Sequence, residues 1–240
     1  MLSDLRHFYS SITSLGTDKI LAALPKSTLQ TLSMKLIELN LALSDQFISV
    51  INLSISYCSI QKLCQFFRYV PKLKYLNVQH FHQFDDLELK EKVVNLTNEY
   101  IAIHLKHLII HDFMGSFDSL EILLKKIPNL KSLTISAYSD NEEDIIDACR
   151  WQHLITSSLP FLDVFKFMFS VLFLSEIYDI GNRLLPFQSD FWHQQHHWYI
   201  ECAFSNERIL IYTTPYLSNE YFLQSYTKIY CNTSNTTIDP

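Results

Sequence analysis

An α/β solenoid is the fold that this 240-residue chain predicts, and three observations predict it. The first is a short pattern, an apolar residue, two others, an apolar residue, one other and an apolar residue. It recurs as Leu29-Leu32-Met34, Val50-Leu53-Ile55, Leu73-Leu76-Val78, Leu105-Leu108-Ile110, Leu130-Leu133-Ile135 and Leu162-Phe165-Phe167. The first anchors, at 29, 50, 73, 105, 130 and 162, are separated by 21, 23, 32, 25 and 32 residues, scattered around the length of one strand-plus-helix unit. The second is that the hydrophobic period between anchors changes from two to about 3.6, which distinguishes alternating strands and helices from a plain run of strands. The third is the recurrence Val70-Pro71-x-Leu73, Ile127-Pro128-x-Leu130 and Leu159-Pro160-x-Leu162. Proline cannot continue a helix and pushes its predecessor toward extended geometry, so three helices run into a proline and a strand follows. These are the marks of a leucine-rich repeat of the ribonuclease-inhibitor-like kind, a curved solenoid with parallel strands on the concave face and helices outside, joined by right-handed crossovers.

Each helix can be justified from its own residues. In 59–70 the apolar positions are Ile60, Leu63, Cys64, Phe67 and Val70, one face of a helix with Ser59 as N-cap. In 116–127 they are Phe117, Leu120, Leu123, Leu124 and Ile127, with Asp118 and Glu121 near the start and Lys125 and Lys126 near the end. Those charges suit the helix dipole at both ends. A third helix is expected to begin at Asp140 or Asn141, gather Glu142, Glu143 and Asp144 in its first turn, and carry Ile145, Ile146, Cys149 and Ile155 toward Pro160.

The last quarter changes character. Trp198, Ile200, Cys202 and Phe204 alternate with Tyr199, Glu201 and Ala203, and Arg208 to Tyr212 is a second β-prone run after the turn-like Ser205-Asn206. An antiparallel hairpin fits, and it is expected to cap the end of the sheet, where an uncapped solenoid leaves a strand edge and its last core layer in water. One domain therefore spans 1–223, with repeats over about 29–180, the cap over about 181–223, and an Asn-, Thr- and Ser-rich tail over 224–240 expected to lack structure.

Composition excludes several function classes. A chain of this length buries roughly 70–75% of its unfolded surface, enough for one continuous core. Lys plus Arg number 19 against 25 Asp plus Glu, net −6, and the basic residues form no stripe, so nucleic acid is not an expected partner. The most apolar stretch, residues 167–174, is far short of the roughly 20 residues a membrane-spanning helix needs, and no membrane role is expected. The start of the chain, with Asp4 and Arg6 close together, does not read as a secretory signal, so a cytoplasmic or nuclear location is expected. Cys58, Cys64, Cys149, Cys202 and Cys231 are odd in number and form no C-x-x-C pair, which reads as free thiols buried in the core. The sequons at Asn52, Asn95, Asn232 and Asn235 read as accidental, Asn52 lying inside a proposed strand.

No enzyme is expected. The three glycines, Gly16, Gly115 and Gly181, form no phosphate-cradling pattern, and no G-x-S-x-G elbow or nucleotide fingerprint is present. Cys149 or Cys202 would pair with a distant histidine only if the fold brought them together. His193, His196 and His197, with Cys202 beyond, offer zinc-capable atoms, but the spacing lacks the Glu of an H-E-x-x-H helix, and Trp192 and Trp198 suggest a packed loop. His104, His107 and His111 overlap a strand anchor, so a metal triad there would contradict the repeat. No metal and no cofactor are expected.

The segments WQHLITSSLPFLDVFKFMFS at 151–170 and FQSDFWHQQHHWYI at 187–200, with IYTTPY at 211–216, resemble the C-terminal half of a lineage-expanded group of F-box proteins with degenerate leucine-rich repeats. The similarity covers about residues 45–223. It implies a substrate receptor of a cullin-type ubiquitin ligase, in which an N-terminal F-box docks on the ligase adaptor and the repeats select a protein target. Residues 1–29 depart from that pattern, since Leu24-Pro25 is followed directly by a strand-like segment, and no adaptor-binding residue carries over. The alternative is a repeat-only binding protein, or truncated paralogue, with no ligase role.

Strand geometry names the candidate binding residues. Where Leu76 and Val78 point inward, Tyr75, Asn77 and Gln79 point to the concave face. Their equivalents are Asn52, Ser54 and Ser56, then His107, Ile109 and His111, then Ser132, Thr134 and Ser136, then Val164, Lys166 and Met168. This mixture of hydroxyls, amides and imidazoles suits a modest protein or peptide contact.

Overall fold

A tight turn sets the repeating unit of this chain. The backbone N–H groups of Val50, Leu73, Leu105, Leu130 and Leu162 donate to the carbonyls three residues earlier, of Phe47, Val70, Ala102, Ile127 and Leu159, at 3.0–3.2 Å. Pro71, Pro128 and Pro160 occupy the second position of three of these turns, where the fixed φ of proline is already correct. Both ends of each turn are apolar, and all but Ala102 are buried, so every turn is nailed to the core. The carbonyl after each turn then accepts two N–H groups from the next unit. Ile51 O takes Lys74 and Tyr75, Lys74 O takes Lys106 and His107, Lys106 O takes Lys131 and Ser132, and Lys131 O takes Asp163 and Val164, all at 2.8–3.0 Å. Each strand therefore starts level with its predecessor.

The computed structural model describes residues 6–9, 27–36, 46–82, 101–139, 145–172, 185–204, 208–215 and 228–231. Ten strands form one sheet: β1 (His7–Tyr9), β2 (Thr31–Leu36), β3 (Asn52–Cys58), β4 (Tyr75–His82), β5 (His107–Met114), β6 (Ser132–Ser139), β7 (Val164–Leu172), β8 (Ile200–Phe204), β9 (Arg208–Thr213) and β10 (Lys228–Cys231). Their order is β1-β2-β3-β4-β5-β6-β7-β9-β8-β10, so the sheet is open, with β1 and β10 at its edges, and is not a closed barrel. From β1 to β7 every pairing is parallel. The last three strands reverse direction: β9 pairs antiparallel with β7, β8 with β9, and β10 with β8. The hairpin read from the alternation is thus present, and Trp198, Ile200 and Cys202 are its buried side.

Two strands, β1 and β10, lie outside both the six anchors and the hairpin. β1 extends the parallel sheet by one strand before Leu29. β10 falls in the segment 224–240 that composition marks as unstructured; its four residues, Lys228–Cys231, pair antiparallel with β8, whose edge supplies their backbone partners.

Among the described residues three α-helices connect parallel strands: α1 (Ile60–Phe66), α2 (Phe117–Leu124) and α3 (Ala148–Ser158). Ser59 and Ser116 cap α1 and α2, their hydroxyls accepting from Lys62 N and Ser119 N at 3.4 Å. Among the described residues the third helix is α3, and a side chain sets its first turn. Asp147 leaves the helical region and accepts from Arg150 N at 2.9 Å, which makes it the N-cap of α3 and separates Ile145 and Ile146 from that helix. The expected start at 140 or 141, the dipeptide Leu24-Pro25 and the sequons at 95, 232 and 235 lie outside the described residues.

The core lies between the helices and one face of the sheet. Leu63 and Cys64 of α1, Leu120 and Leu123 of α2 and Trp151 and Leu154 of α3 join the strand anchors Leu53, Leu76, Leu108, Leu133 and Phe165 in one buried cluster. Each such fully buried side chain contributes about 1.5–3 kcal/mol. Arg150 ties α3 to α2, reaching Asp118 at 2.6 Å and Glu121 at 3.4 Å while its guanidinium lies 4.4 Å over the Phe117 ring. Toward the C-terminus the core becomes aromatic: Trp151, Phe165, Phe167, Phe169, Phe187 and Trp192 have ring centroids 4.5–6.5 Å apart along a continuous chain of contacts.

Candidate functional site: the open face of the sheet

The periodicity of burial changes midway along β3, β4 and β5, and this change shapes the face opposite the helices. In each strand two buried residues are spaced by two and the next follows after three: Leu53, Ile55 and Cys58; Leu76, Val78 and Phe81; Leu108, Ile110 and Phe113. β6 and β7 keep strict alternation, through Leu133, Ile135 and Ala137 and through Phe165, Phe167 and Phe169. The mismatch is absorbed between β5 and β6, where Ile110 pairs with Ile135 but Phe113 pairs with Ala137, a β-bulge of one residue on β5. Three strands thus carry an extra residue that faces away from the core.

Register brings the candidate residues into rows. Thr31, Asn52, Tyr75, His107, Ser132 and Val164 are successive neighbours across β2 to β7, and Ser33, Ser54, Asn77, Ile109, Thr134 and Lys166 form a second row. Ser136 and Met168 pair in a third, where the Ser136 hydroxyl donates to the His111 carbonyl. Every candidate residue, including Ser56, Gln79 and His111, is half-buried or exposed, while the intervening anchors are buried. Among the described residues no helix lies on this face.

Within the rows, side chains contact one another. The Tyr75 ring stacks on His107 with centroids 4.4 Å apart and planes at 5°. Asn52 Nδ2 donates to Thr31 Oγ1 at 3.4 Å. A cavity of about 180 Å3 opens here, lined by Thr31, Asn52, Leu53, Ser54, Tyr75, Leu76, Asn77, His107 and Ile109. Thr31 was legible, because it follows Leu29 by two residues just as Asn52 follows Val50.

A further row exists only because of the extra residue. Tyr57, His80 and Asp112 are register partners on β3, β4 and β5; Tyr57 stacks on His80 at 4.6 Å, and His80 Nδ1 donates to Asp112 Oδ2 at 2.9 Å. Its signal in the sequence is the apolar residue three places after the last anchor, at Cys58, Phe81 and Phe113. The face ends at β9. Tyr212, opposite Met168, is 1% exposed and donates to Glu201 Oε2 at 2.9 Å.

The other histidines go elsewhere. His196 stacks on Trp198 at 4.1 Å, His193 meets the Tyr199 ring edge-on, and His197, at φ 55°, places Nδ1 3.1 Å from the His193 carbonyl. Burial holds the His196 imidazole below its ordinary pKa, with Asp163 opposing the shift. Among the described residues no group of three or more His, Cys, Asp or Glu is placed to hold a metal ion, and no helix is long and apolar enough to cross a membrane. Three cysteines, Cys58, Cys64 and Cys202, are buried, whereas Cys149 is exposed on the outer side of α3.

No protein-family model matches this sequence, and no curated protein matches it.

Proposed function

We propose that this chain is a leucine-rich-repeat solenoid that binds a protein target on its open sheet face. The observation that carries the reading is the parallel register of β2 to β7, which lines up polar and aromatic side chains from six strands on a face that the helices leave uncovered. The mixture of imidazole, amide, hydroxyl and apolar groups there has the makeup of a protein contact, and Lys35 and Lys166, on β2 and β7 at opposite ends of the rows, form no basic stripe for a polyanion. In the narrower form of the reading, suggested by the resemblance of 151–170 and 187–200 to F-box leucine-rich-repeat proteins, the target is a substrate of a cullin-type ubiquitin ligase in the cytoplasm or nucleus. Contact with the ligase adaptor would then require an F-box outside the sequence in hand. The reading includes no catalytic step, metal or cofactor.

The test is a triple substitution, Tyr75→Ala, His107→Ala and Lys166→Ala, followed by quantitative affinity capture from cells. Loss of central aromatic anchors should weaken capture of a specific partner by tenfold or more. Because all three side chains stand off the core, the melting temperature should not move. Unchanged capture would remove the open face as the binding surface, and capture of a partner without the cullin adaptor would separate a repeat-only scaffold from a ligase receptor.

A further inference from the structure

The register that aligns the strands also aligns the residues just before them. Lys74, Lys106 and Lys131 precede β4, β5 and β6, and they are joined through their backbones: Lys106 N donates to Lys74 O at 2.9 Å and Lys131 N to Lys106 O at 2.8 Å. In the chain they lie 32 and 25 residues apart, so the sequence shows no stripe. Adjacent strands are about 4.8 Å apart, which sets these three exposed lysines in a row about 10 Å long. Among the described residues none of the three is in an ion pair, and Asp163 ends the row at β7. Like charges side by side on neighbouring strands are unfavourable, and an anion laid along them relieves the repulsion. An apolar strip runs beside the row. Ile48, Pro71, Ile103, Pro128 and Pro160 hold the same position in the successive turns before β3 to β7, and Asn129 Nδ2 ties two of these turns together by donating to Ile103 O at 2.7 Å. Ile48 and Ile103 are 43% and 50% exposed, and Phe161, next to Pro160, is 58% exposed.

We propose that this turn-side rim binds a short segment of the protein target in which Asp or Glu alternates with apolar residues, the carboxylates facing Lys74, Lys106 and Lys131 and the apolar side chains resting on the Ile103 strip. The proposal rests on the reading of the chain as a protein-binding repeat and names the chemistry of the segment recognised. The rim is continuous with the open face, since Tyr75, His107 and Ser132 directly follow the three lysines. Other anions fit less well. Three lysines supply fewer phosphate contacts than the six to ten typical of a nucleic-acid site, and the row holds no arginine, whose planar fork matches phosphate. A net charge of −6 repels an extended anionic surface such as a lipid bilayer, whereas a short segment meets only the local lysines.

The experiment uses the full chain and synthetic peptides: Glu-Leu-Asp-Phe-Glu, its amide counterpart Gln-Leu-Asn-Phe-Gln, and Lys-Leu-Lys-Phe-Lys. Binding is followed by NMR through the backbone amides of Ile103, Lys74, Lys106 and Lys131. The acidic peptide should give saturable shifts, bind about tenfold more tightly than the amide peptide, and weaken severalfold between about 50 and about 200 mM salt. Lys74→Glu, Lys106→Glu and Lys131→Glu together should reverse the preference, so that the basic peptide binds and the acidic one does not. The corresponding triple Gln variant, which only removes like charges, should lose the acidic peptide without a fall in melting temperature. Ile103→Ser with Phe161→Ser should weaken the acidic peptide severalfold at unchanged salt dependence. Equal affinity for the acidic and amide peptides, or an acidic peptide still bound by the charge-reversed chain, would overturn the proposal. Tighter binding of oligo-dT, of phosphatidylserine vesicles or of a peptide with phosphoserine in place of Asp would overturn it in favour of that ligand. Peptide binding needs no cellular partner. An acidic peptide held at the rim, in a chain whose open-face triple alanine variant captures its partner unchanged, would leave the rim standing and sink the open-face reading; capture lost in that variant, with no peptide bound at the rim, would do the reverse.

Discussion

Trp151→Ala should cost this protein about 4–5 kcal/mol. Trp151 is fully buried and joins three elements: its ring meets Phe117 of α2 edge-on at 5.0 Å and packs against Phe165 and Phe169 of β7 at 4.8 and 5.7 Å. Truncation of a buried Trp costs about 3–5 kcal/mol, the upper end applying where the surroundings cannot close on the cavity. Here they cannot close easily, because Phe165 and Phe169 are held on a strand that is hydrogen-bonded on both sides. The indole N–H also donates to the Ile145 carbonyl at 2.9 Å, and losing that donor adds about 1 kcal/mol, offset in part by water entering the cavity. Trp151→Phe keeps most of the ring contacts and should cost less, about 1–3 kcal/mol. Against a total stability of about 5–15 kcal/mol, the alanine variant removes a large share. Urea unfolding followed by far-UV circular dichroism measures both losses. A cost below about 1 kcal/mol for the alanine variant, or equal costs for the two, would refute the docking of α3 against β7 through this ring.

Two further perturbations read out the interior. Burial pushes the Cys64 thiol up to about 12, and burial together with the nearby Cys64 raises Cys58 further, so iodoacetamide should modify exposed Cys149 in the native protein and reach Cys58 and Cys64 only on unfolding. Peptide mapping would refute this if the three label at similar rates. For His196 the folded pKa lies below the unfolded value of about 6.5, so the unfolded state binds more protons between the two values. Its stabilising effect is complete above about 6.5 and is lost as the pH falls through the folded pKa. His196→Gln should flatten the acid side of the stability curve, measured as melting temperature against pH, and an unchanged slope would count against the stacked, neutral imidazole.

Much of the local structure can be read from the chain because it depends on neighbours in sequence. Proline at 71, 128 and 160 marks the turns, Ser59 and Ser116 mark the caps, and the alternation through 198–204 marks the hairpin. The third helix shows the limit of such reading. Ile145, Ile146 and the acidic run before them fit a helical pattern as well as Ala148 and Trp151 do, and only the Asp147 carboxylate turning back to Arg150 N divides them. β10 was not legible for a related reason, since a strand of four residues depends on its pairing with β8, far from it in the chain.

The sequence by itself determined which residues of 50–55, 73–78, 105–110, 130–135 and 162–167 face the core, because a period of two is a local property that each strand carries alone. It also determined that the candidate residues share the opposite face. The tertiary structure decided which of them meet. The extra residue in β3, β4 and β5, its absorption at the bulge beside β6, the Tyr75–His107 stack and the hollow over Ser54 all arise from register between strands 21 to 32 residues apart. Register is fixed by inter-strand hydrogen bonds and by how each core residue fits its neighbour, and both are properties of pairs that no single strand encodes.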